Sequence, residues 1–99
     1  MVAVNTTASL TGADQFSDAI ELVGDMSLTI SGTFAGTITV QRSFDDGSTW
    51  LDVDTFTQPT EEVGFEPAGC QYRVGIKTGD YTSGTANVGL YAYSTWRYE

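Results

Sequence analysis

The chain contains no histidine, one cysteine, two prolines and four cationic residues, Arg42, Arg73, Lys77 and Arg97. Without histidine it lacks the side chain that most readily exchanges protons near neutrality and the commonest metal ligand. A single cysteine, Cys70, rules out an internal disulfide. A lone thiol in β-rich sequence reads as a small buried hydrophobe. Against thirteen acidic residues the four cations leave a net charge of −9. That balance weighs against nucleic acid, whose affinity comes mainly from lysine and arginine, and against an anionic membrane surface. Long apolar runs are also missing, and no stretch approaches the ~20 residues that span a bilayer. Met1–Leu10 lacks the basic start and apolar run of a secretion leader. Nucleophile elbow, zinc-ligand spacing, phosphate loop and dinucleotide fingerprint are absent too. The expectation is a non-enzymatic protein with no cofactor and no metal, binding neither nucleic acid nor membrane.

What is present is alternation with period two. Ninety-nine residues allow one domain around one core, here taken as 1–99, with 94–99 as a docking tail. Gly and Thr are frequent, and the apolar fraction is 40%, a composition that favours strands and tight turns. Short strands are expected at 3–10, 19–23, 26–32, 36–44, 49–56, 61–65, 70–77 and 84–93. In 36–44, Ile38, Val40, Arg42 and Phe44 share one face. In 70–77 the set is Cys70, Tyr72, Val74 and Ile76, and in 84–93 it is Ala86, Val88, Leu90 and Ala92. Turn residues divide the runs, including Val23-Gly24-Asp25, Asp45-Asp46-Gly47 and Pro67-Ala68-Gly69. Ala13–Ala19, short and without an apolar stripe, is expected as loop. The only internal echo, Ser31-Gly32-Thr33 and Ser83-Gly84-Thr85, reads as a way to enter a strand. The expected fold is an all-β antiparallel β-sandwich, jelly-roll-like or immunoglobulin-like, with about eight short strands.

Ser43-Phe44-Asp45-Asp46-Gly47-Ser48-Thr49-Trp50 fits the S-x-D-x-G-x-T-W pattern of an Asp-box. Polar side chains fold its turn, and Gly47 supplies the positive φ that such turns often need. Ser43, Asp45, Gly47, Thr49 and Trp50 are the candidate structural hairpin, with Trp50 expected to be largely buried. The pattern resembles the repeated element of sialidase propellers, but it occurs once here, and a propeller needs at least about four blades. It points to a β-hairpin, not to glycoside hydrolysis. Asp45, Asp46, Asp52 and Asp54 cluster around it, and turn chemistry plus a solvated strand face is favoured over calcium binding. Arg73 and Lys77 are expected to pair with carboxylates.

The aromatic residues Tyr91, Tyr93, Trp96 and Tyr98, with Arg97 among them, crowd the last nine positions. Tyr91 and Tyr93 alternate with Leu90 and Ala92. They belong either to a strand buried on both faces or to an exposed strip that docks onto a partner. Trp, Tyr and Arg dominate interface hot spots, which makes Tyr91, Tyr93, Trp96, Arg97 and Tyr98 the candidate interface.

From Ser31 to Trp50 the chain resembles small β-sandwich structural proteins of tailed bacteriophages, of capsid decoration, cement or head-fibre type. Those share a segment F-x-G-T-[VI]-x-[VL]-Q-R-S-F-D-x-G-x-T-W and a later Y-R-[VL]-G-x-K-x-G-x-Y-x-S-G-T, matched by Tyr72 to Thr85. The resemblance implies a virion component on the outer capsid surface, made in the host cytoplasm. Its implied partners are the major capsid protein and its own copies, with a homotrimer expected. The alternative is a carbohydrate-binding or host-adhesion module of a phage tail or fibre, with Trp and Tyr as sugar platforms.

Overall fold

The computed structural model describes residues 2–94, and among them every regular element is a β-strand. In chain order these are β1 (Ala3–Leu10), β2 (Gln15–Phe16), β3 (Ile20–Gly36), β4 (Ile38–Ser43), β5 (Leu51–Phe56), β6 (Thr60–Ile76) and β7 (Tyr81–Tyr93). Every pairing is antiparallel, in the order β1-β7-β3-β6-β4-β5, with β2 joined to β6. The expected all-β antiparallel architecture is the one found. The elements differ from expectation in two ways. Ala13–Ala19 contributes the short β2, and four expected strands are two long ones.

The reason for the long strands is local. β3 and β6 have 17 residues each. The expected turns at Val23-Gly24-Asp25 and Pro67-Ala68-Gly69 are instead a shared irregularity: Leu22 lies opposite Cys70 and Gly24 opposite Glu66. Val23 on one strand thus faces three residues on the other. Gly24 and Gly69 take positive φ there, 82° and 78°, which bends both strands without ending them. Each strand therefore serves two layers. The first layer holds β1, β7, β3 from Gly24 onward and β6 from Thr60 to Glu66. The second holds β6 from Cys70 onward with β4 and β5 on one side, and Ile20–Leu22 and β2 on the other.

The core lies between the layers. Leu28, Ile30, Val88 and Leu90 come from the first, and Ile38, Val40, Tyr72, Val74 and Ile76 from the second, in one buried cluster. The inner sets expected for 70–77 and 84–93 are all buried, Cys70 included. Phe44 departs from its expected face. β4 ends at Ser43, so Phe44 turns outward, 57% exposed, with Arg42 stacked on its ring at 4.8 Å.

The Ser-Gly-Thr echo does not mark strand entries. Gly32 and Gly84 both sit within strands at positive φ, 102° and 87°. Thr33 pairs with Thr85, Gly32 with Ala86 and Phe34 with Gly84, so the two copies run past each other on neighbouring strands. A Cβ at either glycine would strike the carbonyl of Thr85 or Thr33. The repeat permits close approach of the β3 and β7 backbones beside core residue Ala86.

Candidate functional site

The hairpin between β4 and β5 is built as its sequence suggests. Ser43 Oγ accepts from the Gly47 amide at 2.8 Å and donates to Asp45 Oδ1 at 2.8 Å, which also accepts from the Thr49 amide at 2.8 Å. Ser43 and the Thr49 amide hold the Asp45 carboxyl below the ordinary aspartate range. Gly47 has φ 89°. Trp50 is the exception: it is half-buried and packs on Arg73, not on the core.

Arg73 is clamped between two rings, 3.9 Å from the Phe16 centroid and 4.3 Å from that of Trp50. Its Nε donates to Gln41 Oε1 at 2.9 Å, and Gln41 Nε2 donates to Asp52 Oδ1 at 2.9 Å. Lys77 Nζ closes the chain on Asp52 Oδ2 at 2.7 Å. Lys77 therefore pairs with a carboxylate as expected, while Arg73 finds aromatic faces instead. The Lys77 bond, then the Gln41 bond, lowers the Asp52 pKa, and burial lowers that of Arg73. Together these groups roof the outer face of the second layer.

Asp52 and Asp54 do not share a face. The register of β4 and β5 shifts between Val40 and Gln41, which puts Asp52 opposite Gln41 and Asp54 opposite Val40 on the core side. No group of three acidic, histidine or cysteine side chains that could hold a metal gathers among the described residues.

Glu66 is a buried carboxylate at the bend between layers. Its Oε1 accepts from Arg42 Nη1 and from Tyr72 Oη, both at 2.7 Å, and its Oε2 from the Ala68 amide at 2.9 Å. Burial pushes its pKa upward, but the three hydrogen bonds and the Arg42 charge outweigh it, and the net shift is down. Burial, then the Glu66 charge, pushes the nearby Cys70 thiol up to about 11. This knot fixes the bend and is fully satisfied, so it is structural.

Among the described residues, nothing covers the outer face of the first layer. Opposed residues in an antiparallel pair point the same way, and the registers give one row of Asn5, Tyr91, Ser27 and Val63. Two residues along the strands come Tyr93 and Phe65. Tyr91 is 44% exposed, Tyr93 48%, Val63 81% and Phe65 65%. In the other direction the face carries Thr7, Thr29, Ser9, Asn87 and Ser31, with the Tyr91 ring lying across Gly89. Of the candidate interface, Tyr91 and Tyr93 are thus exposed on one face. Trp96, Arg97 and Tyr98 lie outside the described residues.

Val63 and Phe65 were missed as partners of the tyrosines. Their signal was alternation with Glu62 and Gly64. Which face they share depends on the register with β3, which the local sequence does not carry. Compared with family models, curated proteins and solved structures, the chain matches none.

Proposed function

We propose that this chain is a non-enzymatic virion structural protein that decorates or cements the outer surface of a phage capsid as a homo-oligomer. The observation that supports it best is the exposure of Tyr91, Tyr93, Val63 and Phe65 on one sheet face, with Ser27 and Asp25 of β3 between them. Exposed tyrosine and apolar side chains gathered on one face are characteristic of contact surfaces. The charge of −9 suits the outside of a shell better than a surface facing packaged DNA. Several copies on one capsid, as in a homotrimer at a three-fold position, would turn weak single contacts into avid attachment. The partners are then the major capsid protein and other copies of the chain.

A second reading has its own support. The Tyr91 ring lies across Gly89 beside Thr7, Thr29, Ser9, Asn87 and Ser31, hydroxyl and amide groups next to an aromatic plate. That chemistry suits a neutral sugar and favours a carbohydrate-binding or adhesion module. Purified protein should be tested on undecorated capsids and, in parallel, on a glycan array. Capsid binding that Tyr91→Ser with Phe65→Ser abolishes supports decoration. Glycan binding without capsid binding replaces that reading with adhesion.

A further inference from the structure

One side of the sandwich is open. The first layer ends there in Thr60–Glu66 of β6, which pairs only with β3, and the second ends in β5, which pairs only with β4, among the described residues. Between them lies a groove of about 260 Å³. Its floor is Leu28, Leu90, Val40 and Tyr72, core residues from both layers. Asp54, opposite Val40, enters it from one rim, and Glu62, opposite Leu28, enters from the other. Among the described residues neither carboxylate makes an ion pair, whereas Arg42 and Lys77 are engaged with Glu66 and Asp52.

We infer that this groove is a docking site for an extended segment of a partner protein, with apolar residues alternating with lysine or arginine. Unpaired strand edges offer a row of backbone donors and acceptors, which an added strand satisfies. The apolar floor takes side chains of one face of that strand. Asp54 and Glu62, pointing into the groove from opposite rims, select a cation on an aliphatic stem. A second copy of this strongly acidic chain is the wrong partner, because its own carboxylates would be brought against these two. The groove borders the Tyr91 face, with Val63 and Phe65 at the shared edge, and the inference stands whether or not the chain belongs to a virion.

The test is selection of a random linear peptide library on the full chain, followed by NMR shift mapping of an enriched peptide. Enriched peptides should carry lysine or arginine between apolar residues and shift the amides of 53–56 and 62–65. Asp54→Asn and Glu62→Gln, both at exposed positions, should each weaken binding about fivefold, the scale of a solvent-accessible ion pair. Backbone N-methylation of the peptide should abolish it. No enrichment, enrichment of acidic or uncharged peptides, or shifts confined to the Tyr91 and Tyr93 face would overturn the proposal. So would sedimentation showing a dimer of the chain whose contact shifts these same amides. If capsid binding fails while peptide binding holds, only the decoration reading falls.

Discussion

The two layers of the sandwich share β3 and β6 and the same alternation, yet their outer faces are finished differently. The second layer roofs itself with the Phe16–Arg73–Trp50 stack, the Gln41–Asp52–Lys77 chain and the Asp45 turn. All three described cations, Arg42, Arg73 and Lys77, stand on β4 and at the second-layer end of β6. Among the described residues, the first layer keeps no cation on its outer face and leaves Tyr91, Tyr93, Val63 and Phe65 exposed. Groups that satisfy one another hold a fold together; groups left without partners are available to another molecule. The second layer is finished by its own side chains, and the first is not.

The sharpest way to break that contrast is at the shared bend. Glu66→Ala should cost about 3 kcal/mol in denaturant unfolding, because it strips the Tyr72 hydroxyl, the Ala68 amide and Arg42 of their common acceptor. Arg42 is partly exposed and regains water, which keeps the loss at the lower end of the range for broken buried pairs.

Acid should probe the same groups. Asp45, Asp52 and Glu66 all have folded pKa values below their ordinary ones, so the unfolded chain binds protons first. Their contribution is complete above about pH 5 and is lost as pH falls through the lowered values, below about pH 4. Urea midpoints across that interval should fall with pH. Glu66→Gln should flatten the slope, and an unchanged slope would show that Glu66 is not linked to folding.

On the roofed face, Trp50→Ala should cost about 1–2 kcal/mol, less than a core aromatic, since the ring is half-buried and its partner is Arg73. A loss above about 3 kcal/mol would mean that the ring reaches the core.

Thr39 gives a smaller and opposite effect. Its hydroxyl is buried without a hydrogen-bond partner among the described residues, so Thr39→Val should raise stability by about 1 kcal/mol in thermal or denaturant melts. The least effect is expected on the bare face. Phe65→Ser with Tyr91→Ser should change stability by less than about 0.5 kcal/mol while removing partner binding. A large loss would show that the strip holds the fold and would undo the distinction between the layers.

Much of this was legible in residue order because it is local. Alternation marked the inner faces of 70–77 and 84–93, since the pleat sends successive side chains to opposite sides. The polar run from Ser43 to Thr49 specified its own turn, because the Ser43 and Asp45 side-chain hydrogen bonds close within a few residues, with Gln71 reaching Asp46 from β6 as the long-range addition. Long-range pairing decided the rest. Gly24 and Gly69 looked like turn residues because positive φ serves a turn and a bulge equally, and only the pairing of β3 with β6 made them bends within strands. Asp52 and Asp54 look equivalent by spacing, but one register shift sends them to opposite faces. Val63 and Tyr91, distant in the chain, become neighbours through Ser27 between them. Sequence alone determined that the chain is antiparallel β around one core. The tertiary pairing decided which apolar residues the core leaves out, because a strand's pattern says which residues share a face and its neighbours say what covers that face.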